Sequence, residues 1–122
     1  MNRKGNMANL KDKVSIFKAL SDSNRLRILK MLQMRDLCVC EITDVLELAP
    51  STVSKHLSVL REAGFINEEK DGKWVNYKLN TKPSDPASAS LISMMHVLLE
   101  DVEMIQKDRK AVQTVDRAVL CK

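Results

Sequence analysis

The chain has 122 residues, of which 44% are hydrophobic and 30% charged, an ordinary composition for a soluble globular chain and a length typical of one domain. Its formal net charge of +4 and sequence pI near 9.1 favour a polyanionic partner. The longest apolar stretch, around residues 94–99, is far shorter than the roughly 20 residues of a membrane helix, and the N-terminus lacks the apolar run of a signal peptide. We therefore expect no membrane association and a cytoplasmic location.

The N-terminal third predicts an arm and two helices. Residues 1–9 are predicted to form a flexible N-terminal arm. Residues 10–20 carry apolar side chains at helical spacing and predict a helix with one buried face. Either Asp22 or Ser23 is suited to cap the next predicted helix, residues 24–34.

Residues 38–66 predict a helical hairpin, reading CVCEITDVLELAPSTVSKHLSVLREAGFI. A short amphipathic helix over residues 41–46 is followed by a break before Pro50, because proline disfavours helical geometry in the preceding residue. Ser51 is predicted to cap a second helix over residues 52–63, with Gly64 as its stop signal. Two helices joined by a short turn, with a polar and basic outer face on the second, indicate a helix-turn-helix.

A β-hairpin is predicted directly after this second helix. Two alternating runs, residues 65–70 and 74–79, flank Asp71-Gly72-Lys73, and Asp-Gly between such runs is a strong hairpin signal. A hairpin in this position is the wing of a winged helix. The predicted fold is mainly α with a small β-hairpin wing (α+β), a dimeric winged helix-turn-helix whose DNA-binding and dimerisation domain spans residues 10–110.

One long helix, roughly residues 87–110, is predicted to follow a connector, and its apolar stripe is too long for so small a core. We interpret this stripe as the seam of a homodimer. A C-terminal tail, residues 111–122, carries the third cysteine. The predicted dimer residues are Leu91, Met95, Leu98, Val102 and Ile105.

DNA contacts are predicted on the second hairpin helix and on the wing. Hydroxyls and a lysine outside the inward Val53/Leu57/Leu60 stripe suit phosphate and groove-edge contacts. His56 is either a near-base residue or a structural hydrogen-bonding group, and Arg61 either contacts phosphate or pairs with an acid. The candidate residues are Ser51, Thr52, Ser54, Lys55, His56, Ser58, Lys70 and Lys73.

Cys38 and Cys40 precede the DNA-reading helix and form a candidate thiol site. Residues two apart on a regular helix point about 200° away from each other. The two thiols can share one ion if Cys38 lies in or before the first helical turn, or if binding unwinds that turn. Two thiolates select soft ions. The alternatives are that both cysteines are simply small buried side chains, or that they form a redox site with Cys121 as the resolving partner.

Four segments together resemble the ArsR/SmtB family of metal- and metalloid-sensing repressors. They read ALSDSNRLRILKML (19–32), DLCVCEI (36–42), STVSKHLSVLREAGFI (51–66) and KDGKWVNYKL (70–79). The resemblance implies a homodimeric repressor that binds double-stranded operator DNA and leaves it when a thiophilic ion binds. It implies no enzyme, and the chain contains neither a glycine-rich phosphate loop nor an HExxH motif.

The resemblance also bears on the inducer. Arsenic-sensing members carry a third cysteine three positions after the second, where this chain has Thr43, so the third ligand is Cys121, an external thiol, or none. Cadmium- and lead-sensing relatives add cysteines from an N-terminal arm, but residues 1–37 contain none, and the carboxylate/histidine set of zinc sensors looks absent. As(III) or Sb(III) at Cys38 and Cys40 is therefore the expected inducer. A redox-sensing repressor, a Cd/Pb/Zn-responsive repressor and a winged-helix protein-interaction module are the alternatives.

Overall fold

The computed structural model describes the backbone of residues 3–120 and the side chains of residues 9–120. In this part of the chain, helices surround one small antiparallel sheet, which confirms the predicted winged-helix fold class. The helices are α1 (Arg3–Ala19), α2 (Ser23–Leu32), α3 (Val39–Leu46), α4 (Pro50–Glu62), α5 (Pro86–Met95), α6 (Glu103–Val112) and α7 (Arg117–Leu120), and the strands are β1 (Leu37–Cys38), β2 (Ile66–Asp71) and β3 (Trp74–Leu79).

The first two helices meet at a well-defined cap. Asp22 has extended backbone geometry, and its carboxylate accepts the backbone N–H groups of Asn24 at 2.8 Å and Arg25 at 3.1 Å. Of the two capping candidates, Asp22 is therefore the N-cap of α2. Helix α1 begins at Arg3, so residues 3–9, which the sequence assigned to an arm, are helical.

The helical hairpin forms as predicted, but Ser51 does not cap its second helix. Ala49 has extended geometry (φ −63°, ψ 143°) and is the N-cap, and Pro50 is the first helical residue. Proline suits that position because its missing N–H would have no partner within the helix. The predicted inward stripe of Val53, Leu57 and Leu60 is confirmed, since all three are buried.

The predicted wing forms, and a third strand joins it. Strands β2 and β3 pair from Ile66–Leu79 to Asp71–Trp74, and Gly72 in the turn has a φ of +61°, a left-handed conformation that glycine adopts readily. Strand β1 adds to the other edge of β3, with Leu37 opposite Tyr77 and Cys38 opposite Asn76. The sheet therefore connects the cysteine segment directly to the wing.

The prediction of one long C-terminal helix was wrong. The helix is interrupted between α5 and α6, and Leu99 in this interruption has a left-handed φ of +65°. Met95 and Ile105 are buried within the single chain at 4% and 3% exposure, whereas Leu98 and Val102 remain exposed. The predicted stripe is therefore not one continuous surface, and only its accessible members remain candidates for a dimer seam.

Two basic side chains of α2 explain the break. Lys30, only 1% exposed, donates to the carbonyl oxygens of Met95 at 2.6 Å and Leu98 at 2.9 Å, and so satisfies acceptors at the end of α5. Arg27 grips the buried carboxylate of Asp108 on α6 with two bonds of 2.8 and 2.9 Å. These contacts fold α6 back onto α2.

Within the described residues, none of the helices is long and apolar enough to cross a membrane.

Candidate nucleic-acid interface and thiol site

The outer face of α4 presents most of the predicted DNA-contacting residues. Ser51, Thr52, Ser54 and Lys55 are exposed, and Ser58 is half-buried. Helix α4 packs its opposite face into the core through Val53, Leu57 and Leu60, which leaves the hydroxyls and the lysine directed away from the protein interior. The arrangement suits contact with phosphates and groove edges.

His56 forms a hydrogen bond with another side chain of the protein. Its ring Nδ1 lies 3.2 Å from Nη1 of Arg25, and Arg25 also donates to the carbonyl oxygens of Ala19 at 2.7 Å and Lys18 at 3.2 Å at the end of α1. His56 is half-buried. Its structural hydrogen bond links α4 to the junction between α1 and α2, and its contact with DNA stays a prediction.

The wing carries two exposed lysines, and one of its acids pairs with an arginine of α4. Lys70 and Lys73 are exposed, and Lys73 Nζ lies 4.9 Å from the centroid of the Trp74 ring. Arg61 donates to Glu68 on β2 at 2.6 Å. Of its two predicted roles, Arg61 therefore has the acidic partner.

Cys38 lies immediately before the first turn of α3, where it forms a capping box. It is the N-cap, with extended geometry (φ −88°, ψ 166°), and its thiol takes the backbone N–H of Glu41 while the Glu41 carboxylate accepts the N–H of Cys38 at 3.0 Å. Cys40 is the second residue of the helix and is half-buried. Cys38 therefore lies before the first helical turn, which is one of the two arrangements that the sequence argument requires if both thiols are to share one ion.

The two cysteines differ in their chemical state. Burial raises the pKa of the Cys38 thiol, and the nearby carboxylate of Glu41 adds to this, which outweighs the backbone N–H groups that favour the thiolate. Cys38 is therefore protonated at neutral pH. Cys40 is disulfide-bonded, so it supplies a thiol only after that disulfide is reduced.

The third ligand is not found among the described residues. The Thr43 hydroxyl donates to the Val39 carbonyl oxygen at 2.6 Å within the helix, and no cluster of three or more His, Cys, Asp or Glu side chains in this part of the chain is able to hold a metal ion. Cys121 lies outside the described residues. Cys38 and Cys40 as the ligands of a soft ion therefore stay a prediction.

Glu41 and Arg35 support this site, and sequence reasoning missed both roles. Glu41 is 3% exposed, and its second carboxylate oxygen accepts Arg35 Nη2 at 3.0 Å. The same nitrogen donates to the carbonyl oxygens of Val112, the last residue of α6, and of Val115 beyond it. Arg35 therefore connects the capping box to the C-terminal segment. A local sequence pattern does not predict this contact, because its residues are far apart in the chain.

The structure has the features of the winged helix-turn-helix class of DNA-binding proteins: two helices joined by a tight turn, a polar outer face on the second, and a hairpin with exposed lysines. Comparison with known protein sequences identifies the family within this class. The family model described as "Bacterial regulatory protein, arsR family" matches residues 22–68. The arsenical resistance operon repressor of Escherichia coli K12 is 40% identical to this chain over 80 residues, which are 65% of this chain and 67% of that protein. The chain belongs to the ArsR family of transcriptional regulators, in agreement with the prediction that it is not an enzyme.

Two further relatives are informative. The cadmium resistance regulatory protein CadC of Listeria innocua is 45% identical over 62 residues, 50% of this chain and 52% of that protein, so the match spans about half of that relative. A solution structure from Mycobacterium bovis, described as a homodimeric winged helix-turn-helix DNA-binding domain of a possible ArsR-family regulator, has a TM-score of 0.64 at 25% identity and covers 80% of this chain and 84% of that one.

Proposed function

We propose that this chain is a cytoplasmic transcriptional repressor that binds double-stranded operator DNA as a homodimer and is released when As(III) or Sb(III) binds Cys38 and Cys40. One observation carries the proposal: Cys38 and Cys40 occupy the N-cap and the second position of α3, the helix that packs against the DNA-facing α4. An ion held by both thiols acts at the point where the helix-turn-helix begins.

Homodimerisation is supported by apolar side chains that the single chain leaves uncovered. Leu10, Val14 and Phe17 of α1 are 42–57% exposed, and Met94 and Leu98 near the end of α5 are 50% and 42% exposed. A second copy covering these side chains removes them from water. It also places two α4 helices in successive major grooves, about 34–36 Å apart. Sedimentation as a monomer at micromolar concentration contradicts this part of the proposal.

Once an external thiol has reduced the Cys40 disulfide, arsenite binding to the two thiols is a condensation that needs no further redox step. Each thiol proton combines with a hydroxide of As(OH)₃ and leaves as water, and each sulfur forms one As–S bond. The raised pKa of Cys38 does not oppose this reaction, because no net proton is released to solvent. The third arsenic ligand remains hydroxide or is supplied by Cys121 or an external thiol.

The capping box supplies the coupling between this reaction and DNA. When the Cys38 sulfur binds arsenic, it no longer accepts the N–H of Glu41, and α3 loses an N-cap interaction worth about 1 kcal/mol. Coupling free energies of about 1–3 kcal/mol are enough to change DNA affinity 5- to 150-fold. Rearrangement of the first turn of α3 shifts the packing on α4 and lowers the affinity for the operator.

The proposal is tested by fluorescence anisotropy on a labelled duplex from the region upstream of the chain's own gene. The reduced protein is titrated onto this duplex, and arsenite, antimonite, Cd(II), Zn(II) and hydrogen peroxide are then added separately. Release by arsenite and antimonite at lower concentrations than by Cd(II) or Zn(II) is the expected result. Release by Cd(II) alone contradicts the metalloid assignment and leaves a soft-metal repressor.

Redox sensing is a second candidate, because Cys40 is disulfide-bonded. In this reaction two thiols are oxidised to a disulfide while hydrogen peroxide is reduced to two water molecules. The sequence names Cys121 as the candidate partner, and that residue lies outside the described part of the chain. Release by peroxide that dithiothreitol reverses, and that Cys121→Ser abolishes, favours this candidate over the metalloid sensor.

A further inference from the structure

Arg117 of α7 connects the C-terminal segment to the wing. Its guanidinium donates to Asp71 Oδ2 at 2.8 Å, at the end of β2, and to Asn76 Oδ1 at 2.9 Å, on β3. Its Cζ also lies 4.2 Å from the centroid of the Trp74 ring, close enough for a cation–π interaction. A single side chain from outside the wing thus contacts both of its strands near the tip.

The tip of the wing has little other support. An isolated two-stranded hairpin is marginally stable in water, and β1 pairs with β3 only at Tyr77 and Asn76. Between Asn76 and the turn, each strand has only the other as its backbone partner in the sheet. Arg117 supplies the contact that holds this outer part of the wing against the protein.

The same contact controls the charge at the tip. Asp71 and Lys73 lie on either side of Gly72, so a carboxylate stands beside the lysine predicted to meet the DNA backbone. An unpaired Asp71 repels phosphate, whereas its bond to Arg117 neutralises it locally. Lys73 and Arg117 also lie over the ring of the same residue, Trp74, which ties the position of the lysine to that of the arginine.

We propose that Arg117 is a positioning residue for DNA recognition, which holds the tip of the wing so that Lys73 meets the phosphate backbone. The inference rests on the proposed DNA-binding function. It adds a link from the thiol site to the wing, because Asn76 is both the strand partner of Cys38 and the acceptor of the Arg117 bond.

The test is a double-mutant cycle between Lys73 and Arg117, measured by fluorescence anisotropy on the upstream duplex with the full-length reduced protein. Arg117→Ala and Lys73→Ala are each expected to weaken binding roughly five- to tenfold and to lower the log–log salt slope by about one, because one phosphate contact is at stake. In the Arg117→Ala background, Lys73→Ala is expected to add less than about twofold, since the two changes remove the same contact. Full additivity of the two losses means that Arg117 does not act through Lys73 and overturns the proposal.

Arg109→Ala is the matched control. It removes the same charge from α6, where Arg109 pairs with Glu100 rather than with the wing. If Arg109→Ala weakens DNA binding as much as Arg117→Ala does, the effect is one of net charge, and the positioning role is contradicted. Arg117→Lys keeps the charge but not the planar fork and should behave like Arg117→Ala; wild-type affinity for it also overturns the proposal. Trp74 is the only tryptophan of the chain, so a red shift of its emission in both Arg117 variants is the expected structural readout.

The cycle also separates this inference from the proposed function. If Lys73→Ala in the wild-type background changes neither affinity nor salt slope, the wing does not meet DNA, and the proposed wing contact fails together with this inference. If Lys73→Ala has its effect but neither Arg117 variant does, only the positioning role fails.

Discussion

Arg27→Ala is expected to cost more stability than Asp108→Ala, although both remove the same ion pair. The Arg27 side chain is 17% exposed and that of Asp108 only 4%. Arg27→Ala leaves a buried carboxylate without its bidentate partner, whereas Asp108→Ala leaves a guanidinium that still donates to Asn24 at 3.2 Å and reaches water. The asymmetry follows from which charge is left in the interior.

The magnitudes follow from that asymmetry. Stranding one charge of a buried pair costs about 3–5 kcal/mol, which applies to Arg27→Ala. Losing a hydrogen-bonded partner while the remaining group is solvated costs about 1–2 kcal/mol, which applies to Asp108→Ala. At roughly 4 °C per kcal/mol for a domain of this size, the melting temperature should fall by about 12–20 °C and about 4–8 °C, respectively.

Thermal unfolding followed by circular dichroism measures both shifts, with the protein concentration held constant because association changes apparent stability. The double variant Arg27→Met/Asp108→Leu is the control, since an apolar pair of similar size is often neutral or stabilising. Equal shifts for the two single variants, or a shift under about 4 °C for Arg27→Ala, would refute the conclusion that the ion pair holds α6 on α2.

Further predictions concern the cap, the interface and the thiol site. Asp22→Ala should lower the free energy of unfolding by about 1 kcal/mol in urea titrations near neutral pH. Because backbone N–H bonds lower the Asp22 pKa despite its burial, this stabilisation is present above the ordinary aspartate pKa and disappears as pH falls through the lowered value. A difference in stability between the variant and the wild type that persists in strong acid contradicts the cap. Lys55→Ala should weaken binding to the upstream duplex in anisotropy titrations, and unchanged affinity removes Lys55 from the interface. Affinity for Cd(II) should rise with pH towards the raised pKa of Cys38, because each thiol that binds this ion as a thiolate releases a proton. Affinity for arsenite should stay nearly constant between about pH 6 and 8. If competition titrations give the same pH dependence for both ions, the condensation chemistry is contradicted.

Local patterns were sufficient to predict the parts of the fold that local chemistry determines. Pro50 marked the turn between α3 and α4, Asp71-Gly72 marked the wing, and the spacing of Val53, Leu57 and Leu60 identified the buried face of α4. Each of these signals lies within a single element or turn, where side-chain spacing and backbone preference act directly.

Contacts between distant residues could not be read in the same way. The break after α5 depends on Lys30, which is 65 and 68 residues from the carbonyl groups it binds, and the apolar spacing across the break is compatible with one continuous helix. Strand β1 has two residues, too few to show an alternating pattern. In the candidate site, the positions of Cys38 and Cys40 were accessible from sequence, but the roles of Glu41, Arg35 and Arg117 depend on tertiary contacts.

The most direct test of the proposed metalloid switch is arsenite-induced release of the upstream duplex, measured by anisotropy for the wild type, Cys38→Ser, Cys40→Ser and the double variant. Serine keeps the capping ability of Cys38 but is a poor ligand for a soft ion. Each serine variant should therefore bind the duplex with wild-type affinity and remain bound when arsenite is added, while Cys121→Ser shows whether the tail supplies the third ligand. Full release of the Cys38→Ser/Cys40→Ser double variant at the arsenite concentrations that release the wild type would contradict the assignment of these two thiols as the sensor.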